Sequence, residues 1–394
     1  MTDPKPLTPF SKLQCAFIAL TYDECKGTGI NKPWNFENTF FDSTEAEQAF
    51  ATTANQYDNF VQVAFSPTKE QAHPTLSFLT TLTTKCSYIT SLAFMQFRLN
   101  PTTFDPFFES LSKDTKITEL MLFIVEMEES TEAALGEGLA TNKGILELSI
   151  RSSKCPTGFN SVVRAVGTND TMTSLRITNT IPSWPLEDDF GATFVKNKTL
   201  TSLNLGGNWD CYQVVRRFCD VIAQNRTLTC LFIPHNIKFD FMMPERTELS
   251  NEFARALKAN QTLIQLDMSD WGIWFDIDPI LAVIPDTRLQ HVNLRHNANS
   301  YSVETFLQMI RTSGTLKELF VPLQRYTGTV KDAVLCAINH NPVLTHISIP
   351  EARVIMRRNN RNQKARNKTL AGKAFRRYTE HVKGRYVSTK RPYN

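Results

Sequence analysis

The side chains of this sequence best suited to metal binding or acid–base chemistry are His235, Asp270 and His296. They occupy the same place after three successive predicted strands, which invites a metal-site or proton-transfer hypothesis. Neighbouring parallel strands lie about 4.8 Å apart, so the outer two histidines would be separated by roughly 10 Å at the backbone. Zinc ligands must all come within about 2.1 Å of the ion. The spacing therefore argues against a metal site, and we expect neither a metal nor a cofactor.

The sequence contains none of the common signatures of phosphate loops, metalloproteases or serine hydrolases. The stretch GTGI at Gly27 is too short to indicate phosphate binding. Eight cysteines form no CxxC pair, which favours free thiols over a zinc or redox site. We therefore predict a protein that is not an enzyme, acts on no small-molecule substrate and works by binding.

The elements that position these residues repeat through most of the chain. An apolar-x-x-apolar-x-apolar string recurs at steps of 26 to 29 residues, with one step of 35. Self-similarity with a period of 20 to 50 residues indicates a solenoid. The strings begin at Phe60, Ile89, Ile117, Ile145, Met172, Leu200, Leu228, Leu263, Leu289, Leu316 and Leu344.

Each unit reads as a strand followed by a helix. In one unit Leu200, Leu203 and Leu205 alternate as the buried side of a strand, and Val214, Phe218 and Ile222 follow at helical spacing; Val303, Phe306, Leu307 and Ile310 repeat that spacing in a later unit. Strands joined by helices must run parallel. One unit cannot bury both of its faces, so neighbouring units are expected to stack into a continuous core.

Two asparagine positions recur in the repeat. The amide of Asn208, at the ninth position counted from the first Leu-type residue, can satisfy backbone groups of neighbouring turns, and Asn236 and Asn297 match it. The other asparagine precedes each strand, where we expect it to close the helix in the left-handed conformation. Four of these positions create N-x-T triplets, which we interpret as structural rather than as glycosylation sites. The six asparagines that precede strands are Asn142, Asn169, Asn197, Asn225, Asn260 and Asn341.

The pattern resembles the leucine-rich repeat family. LxxLxLxxN is matched in full at Leu200 to Asn208, whereas Ser153, Thr180, Trp271 and Gln324 replace the asparagine elsewhere. The unit of about 28 residues with a full helix is similar to the ribonuclease-inhibitor-like type. This resemblance implies an α/β leucine-rich repeat solenoid, a horseshoe with parallel strands on the concave face and helices on the convex face.

The repeat defines three regions. Residues 1–56 are predicted to form an N-terminal capping region, residues 57–352 a solenoid of about 11 units, and residues 353–394 a basic C-terminal tail. The 35-residue step holds the insertion NIKFDFMMPERTEL, which begins at Asn236 and which we interpret as a protruding loop.

The predicted concave face varies from unit to unit while the interior stays leucine-like, which favours binding of a partner protein there. Early units place an apolar patch on this face, which indicates either a contact site or a surface that the N-terminal segment covers. Later units carry aromatic and charged side chains of the kind that anchor interfaces. Trp271 and Trp274 follow in the adjoining loop, as contacts or as packing beneath it. The concave-face candidates are Met95, Met121, Phe123, Ile124, Arg176, Phe232, His235, Asp267, Asp270, Arg295, His296 and Phe320.

The charge of the chain is uneven. From Glu351 to the end, 14 Lys and Arg face two acids, whereas the first 350 residues carry 29 basic and 37 acidic side chains. Such a tail either closes the last unit as a capping helix or binds nucleic acid or an acidic membrane surface by releasing counterions. The polyanion-binding candidates are Arg357, Arg358, Arg361, Lys364, Arg366, Lys368, Arg376 and Arg377.

Two further functions and a location follow as expectations. A protein targeted by its basic tail, with the repeats as a scaffold, is the alternative to concave-face binding. Regulation of a small GTPase is a third reading, because the repeat type also occurs in GTPase-activating proteins. Because the sequence shows no basic leader and no long apolar segment, we expect the protein in the cytoplasm, or in the nucleus through the tail. We also expect a monomer.

Overall fold

A parallel β-sheet runs through the computed structural model of the chain. Twelve of the described strands form this sheet in chain order, and two short strands pair separately beside it. Every pairing between the described strands is parallel. The structure describes residues 34–37, 62–66, 76–85, 89–95, 98–156, 158–180, 190–207, 212–233, 243–270, 276–297, 301–321 and 328–348.

The strands shorten along the chain, from five residues in the early repeats to three or two in the later ones. The main sheet contains β1 (Trp34–Glu37), β2 (Gln62–Ser66), β3 (Ser91–Met95), β5 (Glu119–Phe123), β7 (Glu147–Arg151), β8 (Ser174–Thr178), β9 (Ser202–Asn204), β10 (Cys230–Phe232), β11 (Gln265–Asp267), β12 (His291–Asn293), β13 (Glu318–Phe320) and β14 (His346–Ile347). The small pair is β4 (Arg98–Leu99) with β6 (Glu126–Met127).

From β2 onwards, helices connect successive strands of the main sheet, as parallel pairing requires. Within the described ranges they are α1 (Leu76–Lys85), α2 (Pro101–Leu111), α3 (Glu129–Thr141), α4 (Asn160–Thr168), α5 (Phe190–Lys196), α6 (Tyr212–Gln224), α7 (Met243–Ala259), α8 (Asp278–Val283), α9 (Val303–Thr312) and α10 (Gly328–His340). A 3-10 turn, Ile284–Asp286, extends α8. The predicted repeating α/β architecture with a parallel sheet is confirmed.

Local sequence explains where several helices begin. Pro101 opens α2 with its fixed backbone angle, and the Asn100 side chain accepts a hydrogen bond from the Thr102 amide at 3.0 Å. Ser302 caps α9 in the same way by accepting from the Thr305 amide at 3.3 Å. These caps satisfy amide groups that have no partner inside the helix.

The core lies between the sheet and the helices, and its leucine-type residues stack in register. Leu203, Leu231, Leu266 and Val292 are direct partners on four neighbouring strands, and each is at most 1% exposed. Phe218 of α6, at 0% exposure, lies on the helical side of the same core. The repeats therefore share one continuous interior, as the apolar period predicts.

The opposite side of the sheet, which we name the open face, carries the third, fifth and seventh residues of each unit. On β5 and β7 these residues are more exposed than the buried ones that alternate with them. β3 differs, because Ser91 and Ala93 are only 4% and 3% exposed although they alternate with core residues. At the third and fifth positions, the open face is therefore buried on β3 and accessible from β5 onwards.

The asparagine before each strand does not adopt the predicted left-handed conformation. Asn142 and Asn169 have ψ angles of 138° and 128°, which are extended. The side chain explains the position instead. In Asn197, Oδ1 accepts from the amides of Thr199 and Leu200, and Nδ2 donates to the carbonyls of Val166 and Asn169 in the preceding repeat.

Six such asparagines form a ladder of buried amides between repeats, and each is at most 4% exposed. A buried amide with its hydrogens already donated leaves no place for a glycan, so the structural interpretation of the N-x-T triplets at Asn169, Asn197, Asn225 and Asn260 holds.

The asparagine at the ninth position of the unit was predicted to bind backbone groups of neighbouring turns. Asn297 does so, because its amide donates to the Met268 carbonyl at 2.8 Å. Asn208 and Asn236 lie outside the described residues.

Threonines at the second position of several units form a second set of contacts between repeats. The Thr173, Thr201 and Thr229 hydroxyls donate to the backbone carbonyl at the second position of the preceding repeat, at distances of 3.1 to 3.2 Å. Thr118 and Thr345 do the same at other points of the sheet. The asparagine ladder and these contacts tie neighbouring units together at the edge where strands begin.

The eighth residue of the unit, predicted to face solvent from a strand, lies instead in a left-handed turn just after it. Positive φ angles of 50° to 75° occur at this position in six repeats. Gly, Asn, Asp and similar polar residues tolerate this conformation, whereas a β-branched residue there is an outlier. The six residues are Ile124, Ser152, Asn179, Gly207, Asp270 and His296.

The insertion predicted as a protruding loop is helical in its second half. α7 begins at Met243 and is 17 residues long, and Leu249 is 2% exposed, so the end of this segment belongs to a helix that packs in the core. Residues 236–242 lie outside the described ranges.

Some sequence predictions concern parts of the chain that the structure does not describe. The tail 353–394 with its basic candidates, most of residues 1–56, His235, Trp271, Trp274 and Gln324 belong to these parts. In the described ranges, no helix has both the length and the apolar character needed to cross a bilayer.

Candidate partner-binding face

The first cluster on the open face is apolar. Met95 and Phe123 are register partners on β3 and β5, and Met121 lies two residues before Phe123 on the same face. All three side chains are half-buried, while Ile124, just beyond β5, is 42% exposed. The structure thus brings together the four residues predicted as an apolar patch, which we name the β5 patch.

A charged residue borders the β5 patch on its far side. Arg151 is the register partner of Phe123 on β7, and its guanidinium carbon lies 5.7 Å from the centre of the Phe123 ring. A guanidinium within about 6 Å of a ring makes a cation–π interaction. Arg151 occupies the seventh position of its unit and was not among the predicted site residues.

Acidic side chains occupy the other end of the same strands. Glu119 and Glu147 are register partners at the third position, and the Ser91 hydroxyl donates to Glu119 Oε2 at 3.0 Å. Burial raises the pKa of Glu119, the Ser91 hydrogen bond opposes this rise, Glu147 adds to it and Arg176 lowers it. The predicted Arg176 lies half-buried at the fifth position of β8, so this region of the face mixes both signs of charge.

The second cluster surrounds Phe320 on β13. The Arg295 guanidinium carbon lies 4.3 Å from the centre of the Phe320 ring, and the His346 ring stacks at 5.0 Å with a tilt of 46°. Arg295 and His346 are exposed. A planar aromatic ring held between two polar groups is a rigid, amphipathic surface of the kind found in interface anchors.

A polar strip lies beside this cluster. Asn293 Nδ2 donates to Asp267 Oδ2 at 3.0 Å, and Asp267 Oδ1 accepts from the Ser269 amide and hydroxyl. Phe232, half-buried, is the register partner of Asp267. Three strand steps of about 4.8 Å place Phe232 and Phe320 roughly 14 Å apart, with polar groups between them.

The third position adds a row that the sequence analysis did not single out. His291 and Glu318 are register partners whose Nδ1 and Oε2 atoms lie 3.2 Å apart, and His346 follows on β14. Their signal was present in the sequence, because they occupy the same position of three successive units. The sequence of a single unit does not show which residues of the neighbouring repeats it contacts.

The His235, Asp270 and His296 row does not form a chemical site in the described structure. Asp270 and His296 are exposed residues of left-handed turns, and His235 lies outside the described residues. Among the residues that are described, no group of three His, Cys, Asp or Glu side chains is placed to hold a metal ion. The four described cysteines, Cys155, Cys219, Cys230 and Cys336, are free thiols.

Two solved structures are similar to this chain at low sequence identity. No family model and no curated protein matches the chain. A chain of the crystal structure of the Rad7 and Elc1 complex in yeast matches with a TM-score of 0.45 and 12% identity, covering 86% of this chain and 88% of that chain. Actin-binding site 2 of leiomodin-1 matches with a TM-score of 0.24 and 15% identity over 41% of this chain and 83% of that one. Likenesses at this level do not extend to function.

Proposed function

We propose that this chain is a leucine-rich repeat protein of the ribonuclease-inhibitor-like type that binds a partner protein on the concave face of its sheet and catalyses no reaction. The repeat period, the parallel sheet and the asparagine ladder support the family. Neighbouring helices need about 8–10 Å of space and neighbouring strands about 4.8 Å, so a stack of such units bends with its strands inside. The open face is then the concave face of a horseshoe.

The observation that carries the binding function is the contrast between two adjacent rows of the sheet. The fourth position is Leu, Val or Ile on every strand from β3 to β14, and these residues pair in register inside the core. The fifth position differs on each successive strand from β3 to β13. Its residues are Ala93, Met121, Ser149, Arg176, Asn204, Phe232, Asp267, Asn293 and Phe320.

Folding explains the fourth row and does not explain the fifth. Large aromatic and thioether side chains that remain half-exposed add little to the core, and such patches are typical of interaction sites. Two clusters, the β5 patch and the residues around Phe320, supply the anchors. Most of the affinity in protein interfaces comes from a few such residues.

The test is capture of native partners by two forms of the full-length protein. The first carries alanine at Met121, Phe123, Phe232 and Phe320. The control carries alanine at Glu137, Arg164, Asn251 and Gln308, which are exposed on helices. We expect the first variant to lose partners that the control variant retains. Circular dichroism should show that both variants are folded. Recovery of every partner by the first set would refute the assignment of this face.

A further inference from the structure

Ile124 is the wrong residue type for its backbone conformation. Its φ angle is 54°, in the left-handed region. The equivalent positions of other repeats hold residues that tolerate this region, namely Ser152, Asn179, Gly207 and Asp270. A branched Cβ crowds the following carbonyl in this conformation. The local fold therefore favours almost any small polar residue over isoleucine here.

Burial does not explain Ile124 either. The side chain is 42% exposed, the largest value among the large apolar residues within the described ranges. It lies next to Phe123 and on the same strand end as the half-buried Met121 and Met95. Strained residues persist mainly where the strained side chain has a task outside folding. Contact with another molecule is such a task.

The charges around the β5 patch indicate what that molecule carries. Arg151 lies directly beside Phe123. Glu119 and Glu147 lie four residues from Phe123 and Arg151 along their strands, which is roughly 13 Å, and Glu119 lies two residues from Met121. The charged group placed against the Phe123 ring is therefore positive.

We propose that the β5 patch, with Ile124 as its anchor and Arg151 beside it, binds an acidic segment of the partner protein. One large apolar side chain of that segment contacts Ile124 and Phe123, and a neighbouring carboxylate pairs with the Arg151 guanidinium. Guanidinium and carboxylate groups form charge-assisted hydrogen bonds of high directional specificity. This inference rests on the proposed function and adds to it the chemistry of the partner at one end of the face.

The experiment is selection of a phage-displayed random peptide library on the full-length protein. We expect the enriched peptides to combine a large apolar residue with Asp or Glu within four positions. On the Ile124→Asn variant, enrichment of these peptides falls about tenfold, the usual effect of losing one interface anchor. The same variant melts about 2 °C higher, since asparagine fits the backbone that Asn179 adopts in a later repeat. A more stable variant that binds less cannot owe its loss to unfolding.

Charge reversal tests the acidic character of the ligand. The Arg151→Glu variant is expected to enrich basic peptides in place of acidic ones. Arg164→Glu, on the exposed side of α4, changes the net charge equally and is expected to keep the acidic preference.

Three results would overturn the inference: enriched peptides without an acidic bias, equal enrichment on the Ile124→Asn variant, or no enrichment over a blank surface. In each case the proposed function stands or falls separately, because the alanine set at Phe232 and Phe320 can be tested alone for release of native partners. Release by that pair would preserve the proposed function without the β5 patch.

Discussion

Asn197 shows how a single buried residue joins two repeats. Its side chain makes four hydrogen bonds to backbone groups, two within its own unit and two to the carbonyls of the unit before it. Water does not replace these bonds, because the residue is 2% exposed. The ladder therefore satisfies polar groups that the stacking of units would otherwise leave buried without partners.

Replacement of Asn197 by alanine is predicted to be strongly destabilising. The change leaves two amides and two carbonyls without the side chain that binds them, at a cost of about 2–4 kcal/mol. Thermal unfolding followed by circular dichroism should show a melting temperature lower by about 5 °C or more. Asn251→Ala, on the exposed side of α7, is the matched control and should change it little. Equal melting temperatures for the two variants would contradict the role of the ladder.

Glu119 makes stability depend on pH. Burial raises its pKa above the ordinary 4.5, so the folded protein holds this proton more tightly than the unfolded chain does. At neutral pH the ionised carboxylate weakens the fold, and this cost disappears as the pH falls through the folded pKa towards the unfolded value. Glu119→Gln should therefore raise the melting temperature at pH 7 by about 1–2 °C.

The difference between Glu119→Gln and the parent should vanish near pH 4, where the parent carboxyl is protonated as well. Glu137→Gln, exposed on α3, provides a control that should match the parent at both pH values. A benefit of Glu119→Gln that is unchanged at pH 4 would contradict burial as the cause.

At the scale of elements, α3 is packed closely between its two neighbours. A side chain on Gly136 would meet Ser161 of α4 at 2.7 Å, and one on Gly138 would overlap the backbone carbonyl of Phe108 in α2. Backbone atoms on both sides leave the helix no room to shift. The glycines of this helix therefore set how closely three consecutive repeats approach.

We predict that Gly138→Ala is destabilising even though alanine favours helices. The clash with the Phe108 carbonyl forces α2 and α3 apart, and overpacking of this kind costs about 1–3 kcal/mol. Gly314→Ala is the control, because a side chain there meets nothing within 4 Å. Chemical denaturation should show a lower midpoint for Gly138→Ala only. A midpoint for Gly138→Ala at or above that of the parent would show that the helices separate freely.

Much of the element pattern follows from the sequence, because apolar period and strand–helix alternation are properties of one unit. The parallel order and the stacking of Leu203, Leu231 and Leu266 could be predicted in this way. Features that depend on a neighbouring unit could not. The asparagine ladder was interpreted as a left-handed helix end because its bonding partners lie in the preceding repeat. The start of α7, from Met243 to Leu249, was predicted as part of a loop, because Leu249 finds its contacts only in the assembled core.

The candidate site was predictable to a similar extent. The register placed Met121, Phe123 and Phe320 on the open face, and the structure has them there. It did not reveal the cation–π contacts of Arg151 and Arg295, since these join different strands. The strain at Ile124 was also missed, because the strand was expected to continue through the eighth position.

At the scale of the whole molecule, stacking of the repeats has two consequences. Stacking buries one face of every unit, and the other face remains as a surface that spans the array from β5 onwards. Its fifth row can change from unit to unit without disturbing the interior, since the two rows point to opposite sides of the sheet. The β5 patch and the residues around Phe320 lie on this one sheet, which supports the proposed binding of a partner protein.

The most direct test of partner binding on the open face is hydroxyl-radical footprinting of the full-length protein with and without its captured partner. Oxidation of Met121, Phe123 and Phe320 should fall several-fold in the complex, while the exposed helix residues Cys336 and His340 should be oxidised as in the free protein. Protection that appears on the helices and leaves the three open-face residues unchanged would contradict the central claim.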